Sequence, residues 1–284
     1  SRNRFSCSPV LTMLLLRLSS ILLLAGATPA LAQETAAQLS WTDWADLSLA
    51  SPVVIRGTVN RVDRLSKREA PDVPEGEVRA LVRADLSAAL TSPVVLPAET
   101  AWRWQGRGDA KGKVPFGKGA DLLLFGSVLS GGGNPAVQPI QLTGRSGQQP
   151  WSADADAIVR DVLKQALAPG ARGLMVTGVR DAFFSEGEVA GASESQFFLR
   201  TEGGAPLTLV VRRAPERPVQ VLVATGELVD RAQPPRQRTL LWRGLACGMP
   251  VRLPPALGST QALATDWATA RRVIGDCGRT LPPA

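Results

Sequence analysis

The sequence predicts an α+β protein, predominantly β, built as two small β-barrel-like or sandwich halves that are each followed by an α-helix. Three observations carry this. Short apolar segments alternate with polar residues at a period of two. The chain holds 27 glycines and 22 prolines, which suits many turns. Two longer stretches, 152–168 and 260–274, carry helical apolar stripes, with a cap at Ser152 starting the first and one at Gly275 ending the second.

Taken in order, residues 13–32 read as a cleavable secretory signal. Met13 is followed by Arg17, an apolar run from Leu18 to Ala27, and the ending Thr28-Pro29-Ala30-Leu31-Ala32. That is a positive start, an apolar core and a small-x-small cleavage site. The apolar run is shorter than the roughly 20 residues that span a bilayer. Cleavage is expected after Ala32, leaving Gln33 as the first residue and no transmembrane anchor. Residues 1–12 fit poorly in front of this signal and read as a mis-assigned start, with Met13 as the initiator. The expected location is the periplasm.

Removing the leader takes away Cys7 together with Arg2, Arg4 and Arg17, so the formal charge falls from +7 to +4. Two cysteines remain, Cys247 and Cys277, in an oxidising compartment. An even count without Cys-x-x-Cys predicts a structural disulfide. The domain plan is 1–32 signal peptide, 33–170 N-terminal β-rich domain, and 171–284 C-terminal β-rich domain with a terminal helix.

Within the first domain, Trp44 and Leu47 suit one face of a short helix inside 35–49. Val53–Val62 is β-branched and reads as a strand, with Gly57 marking a bulge or bend. Residues 66–76 read as a loop. From Glu77, Val78, Ala80, Val82, Ala84 and Leu86 fall on one face, and Arg79, Arg83 and Asp85 on the other. Trp102 and Trp104 share one face of the next strand, opposite Arg103 and Gln105. Leu122–Phe125 suits a strand buried on both faces. Gly131-Gly-Gly-Asn-Pro135 is a turn. The helix 152–168 starts at Ser152 and stops at Pro169-Gly170.

In the second domain, strands are expected at 173–179, 196–200, 206–211 and 219–225, the middle two joined at Glu202-Gly-Gly204. Thr239–Trp242 is expected as one more strand leading to Cys247. The last helix presents Leu263, Trp267, Ala270 and Ile274 on one face. A faint echo links Val54–Arg64 with Val223–Arg231.

Several function classes fall away. There is no histidine, so no Ser-His-Asp or Cys-His catalysis and no His-ligated metal site is available. No catalytic residue, metal site or cofactor is assigned. Gly106–Lys113 departs from the Walker pattern at Arg107 and Val114. Arg107-Gly108-Asp109 is too short to signify adhesion. Asp154 and Asp156 read as helix-capping charge, and Glu186 and Glu188 as a solvated loop. The candidate binding residues are Trp102, Trp104 and Arg103, with core filling as the competing reading for the tryptophans.

The pattern of bent strand, long second strand and Gly119-Ala-Asp-Leu-Leu-Leu-Phe125 resembles small exported OB-like β-barrel domains over residues 50–145. The whole chain is similar to uncharacterised exported proteins of Gram-negative bacteria. This resemblance implies a binding or inhibitory module and transfers no functional residue. The leading expectation is a non-catalytic periplasmic binding protein. Its partner would be another periplasmic protein or a cell-envelope polysaccharide, with nucleic acid excluded because of export. The alternatives are an envelope hydrolase using distant Asp/Glu carboxylates, and an inhibitor or chaperone-like module for another exported protein.

Overall fold

Ser40 starts the first helix because its hydroxyl accepts from Asp43 N while the Asp43 carboxylate accepts from Ser40 N, a reciprocal cap. The helix, α1, spans Trp41–Ala50. In the computed structural model the described residues are 39–282, apart from 131–133, 226–230 and 258–259. The leader, with Cys7, Ala30, Ala32 and Gln33, therefore lies outside the described residues, as do Gly131–Gly133 and most of the second half of the internal echo. Among the described residues no helix is long and apolar enough to cross a membrane.

Five strands then close a barrel. They are β1 (Val53–Arg64), β2 (Glu77–Thr91), β3 (Glu99–Arg107), β4 (Asp121–Val128) and β5 (Val137–Leu142). β1 pairs with β2 on one side and β4 on the other, and β3 pairs with β5 in parallel, so the circle runs β1-β2-β3-β5-β4-β1. That is the order of an OB-like five-stranded barrel. A short β6 (Gln148–Pro150) pairs antiparallel with β4 at Leu122–Leu124. Closure needs bent strands, and β1 bends at three register shifts against β2, one of them between Arg56 and Gly57. A Cβ on Gly57 would press on Ala84 Cβ and Asp85 O at 3.2 Å.

The interior follows the expected alternation. Ala80, Val82 and Ala84 of β2 face Trp102 of β3, with Val53, Ile55, Leu122 and Leu124 across the barrel. Two alanines leave the volume that one indole fills. β4 is buried on both faces, as expected, and for a clear reason. Leu122 and Leu124 enter the barrel, while Leu123 and Phe125 meet α1 and the second helix.

That helix, α2 (Ala153–Gln165), is capped by Ser152 as the sequence predicts. Its buried face is Ala155, Val159 and Val162. Leu167 lies beyond the helix end and is 83% exposed, so the apolar stripe is shorter than expected.

Past a 3-10 turn at Ala171–Gly173, an antiparallel meander follows: β7 (Val176–Glu186), β8 (Ser193–Thr201), β9 (Leu207–Arg213) and β10 (Gln220–Thr225). Its strand order, β10-β9-β8-β7, differs from that of the barrel. Helices α3 (Leu240–Gly248) and α4 (Gln261–Ile274) cover one face. Leu263, Trp267, Ala270 and Ile274 are all buried, and Trp267 meets Phe197 edge-on at 5.2 Å. A buried pair links α4 to the sheet: Ser195 Oγ donates to Asp266 at 2.6 Å, and Arg213 Nε donates to the same carboxylate at 2.7 Å.

One element is corrected. Thr239–Trp242 is not a strand; Thr239 accepts from Trp242 N and caps α3. A short apolar run does not distinguish a strand from a buried helix turn. Gly244 and Gly248, four apart, let this helix lie directly on the backbone at Leu174 and Val176. Cys247 and Cys277 are bonded. The bridge therefore joins the end of α3 to the segment beyond α4, not a strand to a helix.

Helix α1 ties these layers together. Trp44 packs on Phe125 of the barrel, and Trp41 packs on Trp242 of α3. Asp43, fully buried, accepts from Thr280 N, Leu281 N and the Thr280 hydroxyl, and so anchors the C-terminal tail. Burial pushes the Asp43 carboxyl up. The bonds from Leu281, Thr280 and Ser40 outweigh it, and the group titrates below its ordinary value. A depressed folded pKa gives stability that is present above the unfolded value of about 3.9 and lost as pH falls through the folded one. Asp43→Asn is expected to cost about 1–3 kcal/mol at neutral pH. The gap between variant and wild type in urea unfolding should stay constant above about pH 5 and shrink below about pH 4. A gap that does not vary with pH would contradict the anchoring role.

Candidate binding groove on the barrel

The outer face of β2, β3 and β5 carries the most suitable site on the barrel. Side chains alternate on β2 and β3, so the residues between the core positions point outward. On β2 these are Arg79, Leu81, Arg83 and Asp85; on β3 they are Ala101, Arg103 and Gln105. Parallel pairing brings Pro139 of β5 opposite Ala101. The result is a groove of about 410 Å³. Its floor is Val82, Trp102 and Ile140, and its open walls are Leu81, Arg83, Arg103 and Leu129.

Leu81 and Leu129 are 49% and 45% exposed. Two half-exposed leucines in one depression are apolar area available to a ligand. Arg103 is exposed and acts on the Asp72 carboxylate through its charge, with Arg79 as the hydrogen-bonded partner of that acid. Arg83 lies 4.0 Å from Glu99, a loose pair. The groove thus offers two guanidinium groups that are only loosely engaged by acids.

One end of the groove is fixed by a polar chain. Arg79 donates to both oxygens of Asp72 at 2.8 Å and to Gln105, and Gln105 donates to Glu77, which also accepts from Arg145. The bond from Arg79 holds the Asp72 carboxyl below its usual range, and the bond from Arg145 does the same for Glu77. These arginines are committed and position the β1–β2 loop; they are not free for a ligand.

The structure separates the three candidate residues. Arg103 opens into the groove. Trp102 is 3% exposed, its ring inside the barrel and its Nε1 donating to Gln148 at 2.7 Å. Trp104 also faces inward and meets Phe116 edge-on at 5.2 Å. The shared face expected for the two tryptophans is real, but it is the inner face, because the period of two that pairs them also sets them opposite Arg103. The Trp102 ring is buried in the barrel, and the Trp104 ring is half-buried. Leu81 was visible in the sequence as an apolar residue on the charged face of β2. Leu129, Pro139 and Gln141 were not, because only barrel closure brings β5 beside β3.

The hydrolase alternative asks for carboxylates brought together from separate segments. Asp85 of β2 lies opposite Glu99 of β3, and Asn60 Nδ2 donates to both, at 2.8 and 3.0 Å. Asp85 is open to solvent and Glu99 is half-buried. Asp156, in the first turn of α2, pairs with Arg160 one turn on at 2.6 Å, and its other oxygen is buried. In the Gly106–Lys113 segment, Asp109 accepts from Lys111 N and Lys113 N, which makes a local turn. Among the described residues no three metal-ligating side chains come together.

The strand order and this groove define an OB-like barrel joined to a helix-backed antiparallel sheet. No family model matches the chain, and no curated protein matches it. Among solved structures it is similar to the wild-type single-stranded DNA binding protein from Thermus aquaticus. That match has 15% identity and a TM-score of 0.20, over 65% of this chain and 92% of that one. A deletion mutant of the same protein matches at 14% identity and a TM-score of 0.19, over 65% of this chain and 94% of that one.

The expectation about partners is corrected here. Nucleic acid was excluded on the strength of the leader, which lies outside the described residues. With that ground outside the described residues the exclusion is withdrawn; the two solved structures named above are themselves described as single-stranded DNA binding proteins. The periplasmic-protein and polysaccharide partners, argued from the same compartment, are not carried forward.

Proposed function

We propose that the protein is an exported, non-catalytic binding module that holds an extended anionic chain across the outer face of β2, β3 and β5. The observation that carries this is the exposed Arg103 beside the half-exposed Leu81 and Leu129 in one groove. Guanidinium groups recognise oxyanions at defined geometry, and apolar walls hold the links between them. Export is argued from the 13–32 segment alone. Binding is preferred to hydrolysis because the Asp85 and Glu99 carboxylates are both taken up by the Asn60 amide, which donates to each of them.

The test is fluorescence anisotropy at low salt with two probes, a labelled oligothymidylate and a labelled oligoglutamate peptide. At least one is expected to bind saturably, and the preference between them identifies the class of anion. Arg103→Ala is a surface change that should leave the fold within about 0.5 kcal/mol. It should reduce the slope of log K against log salt by about 1. Failure of both probes, or an unchanged affinity and slope in the variant, would overturn the reading.

A further inference from the structure

A second cleft lies between α1, α3, the β8–β9 turn and the C-terminal tail, away from the barrel groove, and it has a volume of about 440 Å³. Three arginines reach it from separate parts of the chain. Arg172 comes from the 3-10 turn, Arg243 from α3, and Arg279 from the tail just beyond the disulfide. Leu49, Ala50 and Met175 form an apolar wall.

The charges in this cleft do not balance. Asp46 of α1 serves two guanidiniums at once: Arg243 Nε donates to one oxygen and Arg279 Nε to the other, each at 2.6 Å. Arg243 is 12% exposed and Arg279 is 23% exposed, so two cations are held largely out of water by one carboxylate. Arg172 spends a single bond, on Leu49 O at 3.3 Å. Glu202 at the rim is the one other acid lining the cleft. Three cations thus face two acids. The cluster keeps one positive charge in excess, and an oxyanion in the cleft would offset it with charge-assisted hydrogen bonds.

We propose that this cleft binds a small organic oxyanion. Its charged head would be held by Arg172, Arg243 and Arg279, and its body would lie against Leu49, Ala50 and Met175. The alternative is a purely structural Arg–Asp–Arg bridge that fixes the tail on α1. The structural bridge needs no help from Arg172, and this separates the two readings.

Isothermal titration of the intact, oxidised protein with inorganic phosphate, phenyl phosphate and benzoate tests the proposal. Phenyl phosphate or benzoate should bind one to one, and more tightly than inorganic phosphate, because each carries a body for the apolar wall. Arg172→Gln should weaken this binding about tenfold or more, while the thermal midpoint stays that of the wild type. Arg279→Lys, which keeps the charge but loses the planar fork, should weaken it too. Lys118→Gln on the barrel should leave it unchanged. No heat from any of the three probes, or binding that Arg172→Gln does not alter, would overturn the proposal. The barrel groove reading survives or fails separately, since none of these variants lies in it.

Discussion

Replacing Gly244 by alanine is expected to destabilise the protein by roughly 2 kcal/mol or more, although alanine is the better helix former. A Cβ at this position would lie 2.1 Å from Leu174 O and 2.7 Å from Leu174 C. Those atoms are backbone, so no side chain can swing aside. In an open helix the change would gain about 0.5–1 kcal/mol. Here α3 must lift from the chain at Leu174–Met175, and overpacking of this kind costs typically 1–3 kcal/mol before lost contacts are added. Those contacts include Leu245, Trp242 and Trp267 in the core of the sheet layer. Gly248→Ala meets Val176 O at the same 2.1 Å and should behave alike. Gly178→Ala is the control, since nothing lies within 4 Å of its Cβ. Urea midpoints for the three variants decide the matter. A Gly244→Ala midpoint equal to that of the wild type would show that α3 does not pack on the backbone at Leu174.

Loss of the Cys247–Cys277 bridge is the second large effect. The loop it closes spans 30 residues, so the chain-entropy model assigns about 3–4 kcal/mol to it. The native state loses more than a tether. Cys277 O accepts from the Thr42 hydroxyl, and the tail beyond carries Arg279 to Asp46 and Thr280 to Asp43. The double variant Cys247→Ser, Cys277→Ser should therefore unfold at lower urea and also show faster amide exchange at Thr280 and Leu281. Equal midpoints for wild type and variant under non-reducing conditions would contradict this.

Much of the barrel was legible in the sequence because its signal is local. The alternation from Val78 to Leu86 places every inward residue of that stretch of β2 correctly, and Gly57 marks a real irregularity in β1. Capping chemistry located the start of α2 through Ser152 and the end of α4 through Gly275. What failed was decided by partners distant in the chain. Leu240–Trp242 is too short to show a period, and only Gly244 and Gly248 hint that a helix must approach backbone closely. Arg103 was singled out, and the tryptophans beside it carried two readings, stacking and core filling; their period, which sets them opposite Arg103, already pointed to the second. Asp43 and Asp46 gave no signal, since their partners Arg243, Arg279, Thr280 and Leu281 lie some 200 residues away and reach α1 only through the fold.

The central claim is that the outer face of β2, β3 and β5 is the binding surface. Hydrogen exchange with and without a saturating anionic chain tests it most directly, using whichever of the oligothymidylate and oligoglutamate probes binds. The account predicts protection concentrated in residues 79–85, 101–105 and 137–141, with α3 and α4 unchanged. Protection confined to the sheet layer, or none on the barrel, would contradict it.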